Sequence, residues 1–522
     1  DYSEDMLAKA RNKLAGLSGD REFDLRAADL NDGACFDDAS VALLLLVALP
    51  VAILATADLR NKAGCLLFIN GFSSAACVVP MPYRLPDALA EAEAFALGYQ
   101  AYVVGAVYAR SQILMEKDTH PDAPLHAPLN RFNVYPGLAT PGAAIDFTPN
   151  NDTVYGLAWL DLRQGPVLIT IPEVPNRYWT VQATDWALNT FAYIGSRVHS
   201  KPGTYAYVPP GWQGELPEGV VRFEAPTNGV FLQARTVVQP EVEADIAPVV
   251  AQLKTYRLEP LNPQAQYPLI ESGTPVPNPK LNNPIWTSLE FYRLLNRALT
   301  FGGVREQDRE VVGQFAKLGI GPGLEFNPEA LSEAQRRGLQ RAVETAKERV
   351  VLHGQENGQM RNGWRFARNL GAYGDNRLLA SAIGMMGYGA NRAEEALYLP
   401  AFYDHENQPL HSARNYRIHF TADNLPPVNE FWSVTLYSIP ENQLKANPLN
   451  RYAIGDRTPA LQRNADGSID LWVQQERPED PAANWLPSGD DGQIWLILRL
   501  YGPRQAALQG DFLPPAVQRI DG

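Results

Sequence analysis

Three acidic positions stand in settings that suit catalysis. Asp152 follows Asn150-Asn151 and precedes Thr153 and Tyr155, where a Pro- and Gly-rich loop enters an apolar run. Carboxylate and amide groups there can hold an attacking water or a sugar hydroxyl, and Tyr155 offers a stacking face. Asp185 is surrounded in sequence by Tyr178, Trp179, Trp186 and Tyr193. A carboxylate buried among aromatics has a raised pKa, as a general acid needs. Glu430 stands beside Phe431 and Trp432 in a similar setting. Asp152, Asp185 and Glu430 are therefore the candidate catalytic residues, two of them on different strands serving as acid and base. The candidate ligand contacts are Asn151, Tyr155, Tyr178, Trp179, Tyr193, Trp432, Arg451 and Tyr452. Each has a structural alternative: an Asx turn launching a strand at Asn150–Asp152, sandwich core for the tryptophans, a chain corner at Arg451-Tyr452.

Of the seven histidines, His405, His411 and His419 cluster with Asp404 and Glu406. They are weak candidate metal ligands, because their spacing fits no known pattern. No cofactor is expected. The chain has no G-x-x-x-x-G-K-[ST] and no H-E-x-x-H, and the body after residue 80 has no G-x-S-x-G or S-x-x-K. Gly319-Ile320-Gly321-Pro322-Gly323 reads as a loop, since its proline and helical surroundings do not suit a dinucleotide turn.

The elements that must position these residues follow from periodicity. Leu85–Lys117 reads as a helix, with Leu85, Leu89, Ala92, Phe95, Ala96, Tyr99, Tyr102, Val103, Ala106 and Val107 on one apolar stripe. From Thr153 the period becomes two, in short runs separated by Pro and Gly that continue to Val237-Val238, the pattern of an antiparallel sandwich. Ile285–Leu299, Arg305–Leu318, Pro328–His353 and Asp375–Met386 return to helical spacing. Strands are expected again at Tyr416–Phe420, Phe431–Tyr437, Ile469–Val473 and Ile494–Tyr501, with hairpin turns at Asp466-Gly467 and Asp491-Gly492. The fold class is thus β-rich and multidomain (α+β), with divisions at 1–80, 81–240, 241–390 and 391–522.

Composition narrows the partners. The 522 residues carry 45 Lys and Arg against 58 Asp and Glu, a net charge of −13 without a basic block. Such a surface releases few counterions, so nucleic acid is not an expected partner. All three cysteines, Cys35, Cys65 and Cys77, precede residue 78, which leaves the body without a disulfide framework. Val41–Ala57 is an uncharged apolar run broken by Pro50, and a second run ends near Ser74-Ala75-Ala76-Cys77. The first 80 residues therefore read as a leader or membrane anchor, acting through 41–57 or Cys77. The expected location is the periplasm, the cell envelope or outside the cell. The alternative is a cytoplasmic chain starting near Met81.

An internal echo accompanies the strands. Tyr178-Trp179-Thr180-Val181 resembles Phe431-Trp432-Ser433-Val434, and Ile194-Gly195-Ser196-Arg197 resembles Ile454-Gly455-Asp456-Arg457. The order is kept, which suggests a duplicated β unit.

Several of these strings also carry a family resemblance. Asn150–Tyr155 and Tyr178–Trp186 resemble the first half of a bacterial two-part family, catalogued as domains of unknown function 1254 and 1214. Leu425–Val434, Asn450-Arg451-Tyr452, Asn484–Pro487 and Leu498-Arg499-Leu500-Tyr501 resemble the second half. The resemblance runs from about Leu85 to Pro515 and implies an immunoglobulin-like sandwich, a helical insert and a C-terminal jelly roll. It implies no reaction. The expected function is binding of a glycan, lipid or small molecule through aromatic-lined sandwich surfaces, by a chain that also has the makings of a homo-oligomer. The alternatives are an envelope hydrolase or lyase using the three carboxylates, and a cytoplasmic metabolic enzyme.

Overall fold

The computed structural model describes residues 85–142, 148–239 and 242–520. The apolar runs at 41–57 and 63–79 and the three cysteines lie outside them. Helix α1 (Asp87–Asp118) opens the described chain. Strands β1 (Asn133–Val134), β2 (Thr153–Asp161), β3 (Val167–Ile171) and β4 (Trp179–Asp185) follow, then β5 (Thr190–Gly195), β6 (Gly203–Val208), β7 (Val221–Glu224) and β8 (Gly229–Val237). Helix α2 (Glu243–Leu253) leads to β9 (Arg257–Pro260). The middle holds α3 (Glu290–Gly302), α4 (Arg309–Gly313), α5 (Glu333–Glu356), the short strands β10 (Gln359–Arg361) and β11 (Trp364–Phe366), and α6 (Arg377–Met386). The last part carries β12 (Ala396–Ala401), β13 (Asn415–Phe420), β14 (Val428–Ser438) and β15 (Ala453–Gly455). It ends with β16 (Ile469–Gln474), β17 (Asn484–Pro487), β18 (Ile494–Pro503), α7 (Gln505–Gln509) and β19 (Gln518–Ile520).

Four sheets form two sandwiches with a helical layer, the β-rich α+β architecture expected. The first sandwich packs β1-β2-β8-β4-β5 against β7-β6-β3-β9, and the second packs β10-β11-β12-β18-β14-β15 against β17-β16-β13-β19. Period two decides which side chains enter each core. On β2, Val154, Ala158 and Leu160 face the first core; on β18, Leu496, Leu498 and Leu500 face the second. The alternate residues of these strands are largely buried too, because the opposite faces meet helices and each other. That is why both strands read as continuous apolar runs.

The layers ignore the chain divisions drawn at 240 and 390. Strand β9 completes a sheet of the first sandwich, while β10 and β11 extend a sheet of the second. Helix α1 packs with α3, α5 and α6. Its expected stripe holds at Tyr102, Ala106 and Val107, which are buried, and is corrected at the helix start: Leu85 and Leu89 are exposed, and Ala90, Ala94, Gly98 and Ala101 are buried instead. Small residues let α5 approach closely, for a Cβ on Gly98 would collide with Leu339 and one on Gly338 with the Glu91 carbonyl. From Val104 to Met115 every residue of α1 is buried.

Two other expectations shift. The helix read from Pro328 starts at Glu333, where Ser332 and Gln335 form a capping box that satisfies free amides at the helix start. Asp466-Gly467 and Asp491-Gly492 are turns but not hairpins. The first joins β15 to β16 and the second β17 to β18, strands that lie in opposite sheets. The local turn chemistry is met, and the core determines where the chain goes next.

The internal echo corresponds to matching sheets. Strands β2-β8-β4-β5 and β12-β18-β14-β15 occur in the same order. Across the first, Tyr155, Arg235, Thr180 and Gly195 stand abreast; across the second, Tyr398, Arg499, Ser433 and Gly455 do. Gly195 lies against the Trp179 carbonyl and Gly455 against the Trp432 carbonyl, so neither place has room for a Cβ. The backbone N–H of Trp179 donates to Ser196 Oγ, and that of Trp432 to Asp456 Oδ1.

Candidate functional site

The faces of these two sheets that point away from their own cores line a cavity of about 230 Å³. Strand β2 contributes Tyr155, Leu157 and Trp159, and β8 contributes Phe231, Gln233 and Arg235. From the second sandwich come Tyr398 on β12 and Trp495, Ile497 and Arg499 on β18. Helix α1 supplies Lys117 and Asp118, and the segment from Gly387 to Ala390 closes one side.

Salt bridges exchanged between the halves hold the walls together. Asp152, just before β2, accepts from Arg457 Nη2 (2.7 Å) and Ser433 Oγ (2.7 Å) of the second half. Glu395, just before β12, accepts from Arg197 Nε (2.5 Å) and the Tyr178 hydroxyl (2.7 Å) of the first. Both carboxylates are buried. Arg197 and Arg457 are equivalents in the sequence echo, so each copy clasps the other with the same residue. Around this clasp Tyr178, Phe431 and Tyr501 pack ring on ring, with Tyr178 edge-on to the other two.

The cavity's two arginines are both 3% exposed. Arg235 donates to Gln182 Oε1 (2.8 Å), Asn391 Oδ1 (3.0 Å), Gln233 Oε1 (2.5 Å) and the Gly389 carbonyl (2.9 Å). Burial opposes its charge, and the surrounding tyrosine oxygens support it. Arg499 donates to Thr435 Oγ1 (2.7 Å) and the Tyr437 hydroxyl (2.7 Å), and its Nε has no partner.

Of the residues singled out from sequence, Tyr155 lines the cavity. Tyr193 stands one step behind it, donating to Asn391 Oδ1 (3.3 Å), which also receives Arg235. Tyr178 belongs to the clasp. Trp179 and Trp432 are core residues of the two sandwiches. Asn151 donates to the Ala139 carbonyl. Asn150 accepts from the Asp152 N–H in an Asx turn. Arg451 donates to the Trp485 carbonyl and Tyr452 to Asn450, so that pair forms a corner.

The candidate carboxylates do not converge. Asp152 adjoins Val238 and Asp185 pairs with Val230 at the far end of β8, a separation of roughly 25 Å at ~3.3 Å per residue. Asp185 accepts from the N–H groups of Ala187 and Asn189 in the β4–β5 turn. Burial pushes its pKa up to about 6, against the pull of Arg305. Burial, then the nearby Glu395, raises that of Glu430, which lies against Gly502. An acid–base pair of Asp152 and Asp185 is therefore ruled out by distance.

The histidine cluster is also dispersed. His419 pairs with Asp470 (2.7 Å), His411 with Asp491 (3.5 Å), and His405 accepts from the Arg519 N–H. Among the described residues no group of three His, Cys, Asp or Glu could hold a metal ion.

Sequence reasoning missed Arg235 and Gln233. Their signal was a charged and an amide side chain inside the long apolar strand from Val230 to Val238, a pattern that also describes a solvent-facing edge.

Fold and cavity together define a duplicated double-sandwich protein with an aromatic, arginine-bearing chamber between its halves. The comparisons place it further. Residues 129–260 match the family described as "Protein of unknown function (DUF1254)" and residues 395–505 that described as "Protein of unknown function (DUF1214)". The chain thus carries both regions, the first N-terminal and the second C-terminal. It resembles the crystal structure of the VPA0106 protein from Vibrio parahaemolyticus, at 23% identity and a TM-score of 0.60, over 82% of this chain and 100% of that one. That likeness is one of fold. An uncharacterized protein from Burkholderia cenocepacia matches at 14% identity and a TM-score of 0.42, over 79% of this chain and 87% of that one. No curated protein matches.

Proposed function

We propose that the chain binds a small organic molecule in the cavity between its sandwiches, and that the sandwich exteriors are not its binding surfaces. The lining of the cavity carries this reading: Trp159, Phe231, Tyr388 and Trp495 wall it, with Tyr155 and Tyr398 among its polar groups. Apolar walls with a few polar groups are the usual make-up of a small-molecule site. Among the described residues Tyr403, at 42%, is the one exposed aromatic side chain, so a glycan- or lipid-binding row has no support there. The apolar runs at 41–57 and 63–79 support an exported or envelope-anchored location for this binder, which cell fractionation tests.

The binding test exposes the purified chain to a small-metabolite extract and follows retention and consumption by mass spectrometry. Ile497→Phe fills the cavity, while Tyr403→Ala alters the exposed aromatic. Compounds held by the parent and Tyr403→Ala but lost from Ile497→Phe support the reading. Equal retention by Ile497→Phe overturns it. Conversion of a retained compound would make the same cavity an active site.

A further inference from the structure

We infer that the molecule held in this cavity is an organic acid, its anionic oxygens held by Arg499 beside the positive charge of Arg235, and its apolar body set against the aromatic walls. The inference rests on the cavity reading above and adds the charge of the ligand.

The balance of charge in the chamber is the reason. A buried guanidinium costs several kcal/mol unless an anion or a full set of acceptors compensates it. Among the described residues no carboxylate hydrogen-bonds to Arg235 or Arg499. Asp118 is the only carboxylate among the described residues of the lining, and it accepts from Trp159 Nε1 (3.0 Å) and lies 3.9 Å from Lys117. Asp152 supports Arg499 electrostatically, but both its oxygens are engaged by Arg457 and Ser433. With Lys117 and Asp118 offsetting each other, the chamber keeps two uncancelled positive charges.

Unused donors accompany that charge. Arg499 Nε is unpartnered. The Tyr398 oxygen accepts from Asn391 Nδ2 (2.8 Å), leaving its own proton free to be donated. The Tyr155 hydroxyl makes no hydrogen bond among the described residues and completes the set. A guanidinium fork beside phenol donors matches a carboxylate or phosphate better than a neutral amide.

Calorimetric titration of the full chain at pH 7 with 3-phenylpropionate, phenyl phosphate and 3-phenylpropanamide tests this. At least one acid should bind about tenfold more tightly than the amide, equivalent to ~1.4 kcal/mol. The preferred acid shows whether the site suits carboxylate or phosphate. Arg499→Met should abolish the preference, bringing acid and amide to within about twofold of each other, as expected when a charge-assisted contact is lost. Arg499→Lys, which keeps the charge without the fork, should retain part of it. The comparison of acids with amide on the parent needs no variant and stands if Arg499→Met fails to fold. Equal affinities for acid and amide, both lost in Ile497→Phe, would overturn the inference and leave the cavity reading intact. Absence of binding by all three probes would count against both.

Discussion

Arg235 and Arg499 hold equivalent places in the two duplicated sheets, yet their surroundings differ. Gln182 and Gln233 flank Arg235, and the corresponding positions beside Arg499 are Thr435 and Ile497. Two amide acceptors in the first half have thus become a hydroxyl and an alkyl group in the second. The Gly389–Asn391 segment supplies further acceptors to Arg235. The first arginine is consequently a structural tie with four partners, whereas the second keeps an unused donor. One duplicated position therefore carries two different duties, and the neighbours two residues along each strand decide which.

The largest expected effect tests that contrast directly. Arg235→Met strands four acceptors at once and should cost about 3–5 kcal/mol in urea unfolding. Arg499→Met removes two bonds to hydroxyls that can pair again and relieves an unpartnered Nε, so it should cost about 1 kcal/mol or less. Equal losses would erase the distinction.

The exchanged clasp comes next. Asp152→Asn and Glu395→Gln should each cost roughly 2–3 kcal/mol, less than for a sealed pair because side chains of Arg457 and Arg197 are 20% and 29% exposed. A double-mutant cycle over Asp152 and Arg457 should return a coupling of about 1–2 kcal/mol, and the cycle over Glu395 and Arg197 a similar value. A coupling near zero in either would mean that the clasp is not mutual.

Asp185 sharpens the comparison in another way. Its N–H donates to the Asn189 carbonyl, as that of Ser438, the equivalent residue, donates to the Gln443 carbonyl. One half caps this turn with a buried acid and the other with a hydroxyl. Because the folded pKa of Asp185, about 6, exceeds its ordinary 3.8, its contribution is full below about pH 4 and is lost as pH rises through 6. The difference is on the order of 3 kcal/mol. Asp185→Asn keeps the acceptor oxygen and should flatten that part of the pH–stability curve without changing ligand binding. A curve like the parent's would show that another group is responsible.

The smallest effects concern the paired tyrosines. Tyr398→Phe removes an acceptor from Asn391 and should cost about 1 kcal/mol. Tyr155→Phe removes no hydrogen bond and should be close to neutral, within ~0.5 kcal/mol in thermal unfolding.

Much of this molecule was legible in its residues. Alternation of apolar positions places β13, β14, β16 and β18 within three residues of their observed limits, since each strand must keep one face in a sandwich core. The echo of Trp179–Val181 and Ile194–Arg197 with Trp432–Val434 and Ile454–Arg457 locates the duplication, because close glycine contacts and clasping arginines tolerate few substitutes. Tyr155 was legible through its place at the strand entry.

The chamber itself was decided by tertiary structure. Gln233, Arg235 and Arg499 alternate with apolar neighbours as solvent-facing residues do, and strand periodicity distinguishes two faces without saying what covers the second. Only the packing of one duplicated sheet opposite the other, with α1 and the Gly387–Ala390 segment around them, turns those positions inward. The same limit governed the carboxylates. Asp152, just before β2, and Asp185, at the end of β4, flank strands that share β8 as neighbour, and the antiparallel register along β8, which no local pattern encodes, carries them to opposite ends of the sheet.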